Sequence, residues 1–289
     1  MLFLALIVGL LTCPSVGSAP ACTLFAAAGS RVEGGGAIIV KNRDRTPRRS
    51  ALKVLAPPNG YQHLALVAVD APQDSPVAGV NVRGLAVVDA LPNLPPQEEK
   101  PGAVNLTRAL LSHCASVDEV LARQDLFKAS YPVFEMVADA RKIALIAIAP
   151  QGRVAVQVRD QGVLCQTNHY LDLRLREANR KSGGSSAIRY RRISRLLSRQ
   201  TCPFSLEDFL AFSQDRHDGP DNSIYRRGGT PAATLTLATW IVAHPAGGSP
   251  RVWVRIANPG EPPKTVNLKL APSWWAKKRH DKIIKTSGL

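Results

Sequence analysis

An N-terminal cysteine carries a nucleophile and a base in one residue. Its thiolate is a strong nucleophile, and its α-amine, with an unperturbed pKa of about 7.7–8.0, titrates close to working pH. The amine can take the proton of its own thiol with no histidine in attendance. Cys22 is placed for this chemistry. It follows Ala19-Pro20-Ala21, which sets small residues at the −3 and −1 positions of a cleavage site, behind an apolar run from Met1 to Leu11 that Pro14 and Gly17 break. That run is too short to cross a bilayer, which takes about 20 apolar residues. It has the h-region and A-x-A ending of a secretory signal peptide, although its n-region has no Lys or Arg. The expectation is an exported chain, periplasmic or extracellular, cleaved after Ala21 so that Cys22 becomes the first residue. Two other roles are open to Cys22: half of a disulfide, or a lipid anchor. An anchor asks for a large aliphatic residue three positions before the cysteine and a small one just before it, and Ala19 and Pro20 match that pattern poorly.

The amine needs a partner that orients it, a carboxylate or amide near the end of a neighbouring strand. "CTLFAAA" (22–28) and "GAIIVKNRD" (36–44) read as two strands around "GSRVEGGG", a hairpin signal. Asp44 ends the second strand, level with the start of the first. The plain alternative is that Asp44 caps a turn or pairs with Arg43 or Arg45, and surface pairs are worth little. Other chemistries find less support. His113, His169 and His217 lack the surroundings of a Cys-His protease. Gly34-Gly35-Gly36 is followed by no Gly-Lys-Ser/Thr and reads as a turn, not a phosphate loop. No C-x-x-C occurs, so neither a zinc nor a thioredoxin-type site is expected, and no metal or organic cofactor is implied. With Cys22 free, Cys114, Cys165 and Cys202 allow at most one disulfide, so no disulfide framework holds the fold.

Around that hairpin the chain must supply sheets and helices. "YQHLALVAVD" (61–70) is a strand candidate, and "GVNVRGLAVVDAL" (79–91) is a strand after a turn built on Asn81 and Gly84. A proline-rich loop occupies 91–102. Helices are expected over 106–113 and from Ser116, where Ser116 and Glu119 form a capping box. Strands follow around turns at Asp139-Ala140 and Gln151-Gly152, then a helix over 185–198 with Ile188, Ile193, Leu196 and Leu197 near one face, and a capped helix in "SLEDFLAFSQD". "AATLTLATWIVAH", "RVWVRIANPG" and "KTVNLKL" give three late strands. The 289 residues are 45% hydrophobic, normal for a globular core, and the order of elements suits an α+β fold with helices packed on sheets. The expected organisation is a signal peptide (1–21), one domain (22–272) and a basic flexible tail (273–289).

The net charge is +15, with nine basic residues and one Glu between Arg174 and Arg199. Charge of this size favours anionic partners. No RNA-binding aromatic motif or zinc finger accompanies it, so nucleic acid is not expected. An exported chain would meet an anionic small molecule or an anionic envelope surface instead, and solvated helix faces account for most of such runs.

"CTLFAA" followed by "IIVKNRDR" resembles the opening of the N-terminal-nucleophile hydrolases. It is most similar to the cysteine branch that holds choloylglycine hydrolases, linear amide hydrolases and acyl-CoA:6-aminopenicillanic acid acyltransferases. Cys22-Thr23 and Asn42-Arg43-Asp44 match that branch's Cys-Thr start and its Asn-x-Asp. "GVNVRGLAV", "QTNHYL", "SSAIRYRRISRLL" and "DGPDNSIYRRGGTPAATLTLATWIV" resemble later segments in the same order, and the similarity spans most of 22–270. The resemblance implies a four-layer αββα sandwich. It also implies a Cys22 thioester formed from a linear C–N amide of a small-molecule substrate, passed to water or to another amine. Asp44 would hold the Cys22 amine, Asn168 would donate to the oxyanion, and Arg189 would support the charge of the site. Lys41 falls where bile-salt enzymes carry an arginine and is a candidate substrate contact. The chain departs from the pattern in one place. The second oxyanion asparagine should follow the "GLAV" strand, where this sequence reads "VDALPN", with Asp89 and Asn93. That departure leaves a second reading open, a non-catalytic basic envelope protein on the same scaffold.

Overall fold

The structure is a computed structural model that describes residues 21–69, 75–94, 103–179, 184–231 and 233–277, with the backbone of 282–283. The expected signal peptide, apart from Ala21, lies outside the described residues. The chain runs through β1 (Thr23–Ala28), β2 (Ala37–Arg45), β3 (Ser50–Leu55), β4 (His63–Ala68), β5 (Pro76–Asn81) and β6 (Ala86–Ala90). Then come α1 (Leu106–His113), α2 (Val117–Ala122), α3 (Gln124–Ala129), β7 (Val133–Ala138), β8 (Ile143–Ile148), β9 (Val154–Arg159) and β10 (Gly162–Gln166). The last third holds α4 (Gly184–Arg199), α5 (Leu206–Ser213), β11 (Leu235–His244), β12 (Arg251–Ile256), β13 (Lys264–Lys269), α6 (Pro272–Lys277) and β14 (Lys282–Ile283).

Two antiparallel sheets form, one in the order β10-β1-β2-β11-β12-β13 and one in the order β14-β3-β4-β5-β6-β7-β8-β9. Successive side chains on a strand point to opposite faces, and here both faces of the central strands are covered. Leu24, Ala26 and Ile39 meet Leu64, Val80, Val88 and Met136 between the sheets. Phe25, Val40 and Ile241 pack instead against Ile193, Leu197 and Phe209 of α4 and α5. Val87, Val137 and Ile146 pack under Leu106, Leu110, Val117 and Phe127 of α1 to α3. The result is an α+β, four-layer αββα sandwich. Two-sided burial is why β1 and the first four residues of β2 are near-continuous apolar runs rather than alternating ones. The outer strand β13 is half polar, and its Lys264 and Lys269 keep that edge unattractive to further pairing.

Local details follow the side chains. Asn81 Oδ1 accepts from the N–H groups of Arg83 and Leu85, each at 3.0 Å, and Gly84 takes φ 88°, so the β5–β6 turn closes as its residues dictate. The Ser205 helix start is a complete capping box with Asp208. At Ser116 the box is only half formed. Its Oγ accepts from Glu119 N–H, but the Glu119 carboxylate reaches Ala115 N–H at 2.8 Å instead of Ser116 N–H. The stretch expected as a flexible tail contains most of α6, with Trp275 buried, and β14, which pairs with β3 at the sheet edge. Among the described residues the free thiols are Cys22, Cys114, Cys165 and Cys202.

Candidate active site

The hairpin expected from sequence forms in the register Thr23↔Asn42 to Ala28↔Ala37. Ala21 N–H donates to Asp44 C=O at 3.4 Å and carries the ladder one step further. Cys22 therefore stands opposite Arg43, in a pair without mutual backbone bonds, the closer of the two antiparallel pair types with Cα atoms about 4.5 Å apart. On the other side β1 pairs with β10, ending at Leu24↔Gln166. Continuing that register brings Asn168 level with Cys22. Cys22 is 5% exposed, and its side chain joins the inter-sheet cluster.

Arg189 ties these strands together. On α4 the buried positions are Ser186, Arg189, Ile193 and Leu197, spaced three and four apart, so Arg189 belongs to the face that packs on the sheet. Its Nη1 donates to Cys22 C=O at 2.6 Å and to Thr23 Oγ1 at 2.9 Å, and its Nη2 donates to Asn168 Oδ1 at 2.9 Å. Burial lowers its pKa to about 10, with Asp44 acting the other way, so it stays cationic at neutral pH. Because Oδ1 of Asn168 faces a guanidinium, its amide orientation is fixed. Nδ2 gives one hydrogen to Leu91 C=O at 2.7 Å and has a second to offer. The backbone N–H of Asn168 donates to Ser186 Oγ at 2.8 Å. Asn93 N–H donates to Asn168 C=O at 2.9 Å, which brings the divergent "VDALPN" segment to the site through its backbone, while Asn93 itself is exposed.

Asp44 is fully buried. Oδ1 accepts from Thr236 Oγ1 at 2.7 Å, at the residue where a bulge interrupts β11, and Oδ2 has no hydrogen-bond partner. Burial raises its pKa to about 7, against the pull of Arg189, Thr236, Arg226 and Lys41. Neither Arg43 nor Arg45 hydrogen-bonds it among the described residues, so the surface-pair alternative does not hold.

Lys41 lies on the same face of β2 as Ile39 and Arg43, 1% exposed. Its ammonium crosses to the second sheet, where it donates to Val77 C=O at 2.9 Å and Asp89 C=O at 2.7 Å and forms an ion pair with the Asp89 carboxylate. Those two carbonyls lie just beyond the last β5–β6 pair, Ala78↔Val88. Asp89 faces Glu135 across the β6–β7 ladder, and Glu135 accepts from Thr107 Oγ1 at 2.8 Å. Burial and the Asp89 charge push the Glu135 carboxyl well above the usual carboxylate range.

The structure thus brings Cys22, Asp44, Asn168 and Arg189 into one buried cluster. Lys41 sits beside it with its ammonium bound into the second sheet. Sequence reasoning missed Arg43, Thr236 and the Asp89–Glu135 pair. Arg43 was legible in principle, since hairpin pairing of Thr23 with Asn42 sets it opposite Cys22. Among the described residues, no three His, Cys, Asp or Glu side chains gather as a metal ion would require.

Residues 31–261 match the family profile described as acyl-coenzyme A:6-aminopenicillanic acid acyl-transferase. The chain belongs to this acyltransferase family. The matched stretch starts after Cys22 but includes Lys41, Asp44, Asn168 and Arg189. The family chain also superposes on solved N-terminal-nucleophile folds. A conjugated bile acid hydrolase from Clostridium perfringens aligns with a TM-score of 0.55 at 14% identity, over 93% of this chain and 97% of that one. Penicillin V acylase from Agrobacterium tumefaciens gives 0.52 at 13%, over 87% and 89%. The Caenorhabditis elegans N-acylethanolamine-hydrolyzing acid amidase ortholog gives 0.51 at 14%, over 78% and 94%. Among curated proteins no relative matches. This acyltransferase-family member is an enzyme of the N-terminal-nucleophile amide hydrolase and acyltransferase type.

Proposed function

We propose that the protein is exported, is cleaved after Ala21, and uses Cys22 to break the linear C–N amide bond of a small molecule through a thioester. The Cys22 amine would take the thiol proton, and the thiolate would attack the amide carbonyl. The tetrahedral oxyanion would accept the second Nδ2 hydrogen of Asn168, a contact worth about 3–4 kcal/mol at the transition state. As the C–N bond breaks, the leaving amine takes the proton held on the Cys22 ammonium. Water, or a second amine, then attacks the thioester and restores the thiol. The activities of the structural neighbours, on penicillin V, conjugated bile acids and N-acylethanolamines, all concern small-molecule amides. The +15 charge favours an anionic substrate, and the same charge suits peripheral contact with an anionic envelope surface.

The observation that carries the reading is the unpartnered Oδ2 of Asp44, fully buried beside the Ala21–Cys22 junction. A buried acceptor without a donor costs about 1–3 kcal/mol. A cationic amine on Cys22 would supply the missing donor and draw Asp44 back to its ionised form. A non-catalytic scaffold has no use for that vacancy. Leu91 offering a carbonyl to Asn168, with Asn93 exposed, is the one feature that favours the non-catalytic alternative. The test is the intact mass and N-terminal sequence of the exported protein, then amide turnover with Cys22→Ala as the blank. A chain beginning with free Cys22 and cleaving an amide only when Cys22 is present supports the proposal. A lipid-modified Cys22, or a chain starting elsewhere, removes the amine base and ends it.

A further inference from the structure

Among the described residues, Arg43 is a buried cation that faces Cys22 and has nothing to hold. It is 4% exposed, it faces Cys22 across the β1–β2 ladder, and directly opposed residues share a face, here the one between the sheets. Its guanidinium makes no hydrogen bond among the described residues, and Nη1 is buried without any partner. Besides burial, the groups acting on it are Cys22 and Asp89 on one side and the cations Arg45 and Arg48 on the other. Asp89 is already held by Lys41.

The balance of buried charge says what is missing. Lys41, Arg43, Arg189 and Arg226 are all buried in or beside the cluster, against Asp44 and Asp89, with burial and Asp89 pushing Glu135 toward its neutral form. Lys41 pairs with Asp89, and Arg189 and Arg226 both act on Asp44. Arg43 is left over. Proton transfer from Cys22 to its amine would give Arg43 one negative charge, but that charge vanishes when the thioester forms. A guanidinium offers a planar fork suited to a carboxylate.

We propose that Arg43 is the receptor for a negatively charged group, a carboxylate in the simplest case, on the acyl half of the substrate. The assignment rests on Cys22 being the nucleophile. The acyl half follows from the charge balance. An anion on the leaving amine would depart at the first step and strand Arg43 through thioester hydrolysis, whereas an anion on the acyl group stays paired with it until the second product forms. The predicted substrate class is therefore an amide of a dicarboxylic acid.

The test compares mature protein on glutaryl p-nitroanilide, its methyl ester, and a butyryl anilide whose carboxylate sits on the leaving aniline. Wild type favours the glutaryl substrate, and Arg43→Gln cuts the acid-over-ester ratio of kcat/KM by about tenfold or more, the scale of a lost charge-assisted hydrogen bond. Arg43→Lys retains part of the ratio. An equal loss on acid and ester, or a ratio lost only for the carboxylate on the aniline, overturns the assignment. With no variant at all, γ-aminobutyryl p-nitroanilide should be the poorest substrate of wild type; parity with the glutaryl compound also overturns it. Calorimetric binding to Cys22→Ala separates the two readings. Preference for acid over ester that depends on Arg43, without turnover by wild type, sinks the thioester function but not the receptor. Binding indifferent to the carboxylate sinks the receptor whatever the turnover.

Discussion

Replacing Asp44 by Asn in the chain that still carries residues before Cys22 removes a carboxyl that the fold holds about half protonated at neutral pH. Asp44 titrates near 3.8 when exposed and at about 7 in the fold, chiefly because it is buried. The folded state therefore holds a proton that the unfolded state gives up between those values. The stability linked to Asp44 is fully present below pH 3.8 and is lost as pH rises toward 7 and beyond, with a slope of up to about 1.4 kcal/mol per pH unit. Across the whole interval the loss comes to about 4 kcal/mol. Urea unfolding of the uncleaved chain from pH 4 to pH 8 should show this decline, and Asp44→Asn should flatten it. Cleavage after Ala21 should flatten it too, because a Cys22 ammonium beside Oδ2 favours the ionised carboxylate. Parallel pH profiles for wild type and Asp44→Asn would refute the burial argument. A decline that persists after cleavage would show that the new amine does not meet Asp44.

Arg189→Met strands Asn168 Oδ1 and Cys22 C=O in the core, so unfolding should become easier by about 3–5 kcal/mol in denaturant titration. Lys41→Met leaves the Asp89 carboxylate buried and unpaired, with a loss of similar size, and adding Asp89→Leu should recover much of it, because two matched apolar groups replace the pair without an orphaned charge. Asn168→Ala in the mature protein should lower kcat by about 100- to 1,000-fold, with KM changed far less, if its free amide hydrogen meets the oxyanion; an equal rise in KM would place Asn168 in ground-state binding.

The fold was legible wherever one local signal decided the element. The Gly-rich turn after Ala28, the Asn81–Gly84 turn and the Ser205 cap each follow from side chains acting on their own backbone. β3 escaped notice because Ser50 to Leu55 is short, half-buried in alternation and interrupted by Lys53, so its partner β4 rather than its own run makes it a strand. Of the candidate site, the closeness of Cys22 to Asp44 was legible, because the cysteine and the hairpin end fall level in sequence. Arg189 stands amid basic neighbours, and only the packing of α4 on the sheet separates it from Arg191 or Arg195 on the exposed side. Lys41 reads as a free cation in one dimension. Its partner Asp89 lies 48 residues away on the other sheet, a separation that no periodicity reports.

Strand β2 serves two layers at once. Lys41 and Arg43 face the gap between the sheets, while Asn42 faces the helices, where its amide donates to Ser213 C=O at 2.7 Å and Ile224 C=O at 2.8 Å and accepts from Thr239 Oγ1 at 2.9 Å. A strand that slips by one residue exchanges its two faces. Loss of a single residue between Ala37 and Lys41 would therefore send Asn42 toward Cys22 and both cations into the helix layer. This segment can diverge by substitution but not by change of length, and variation in size among descendants of this chain should collect in the connections that β2 does not touch.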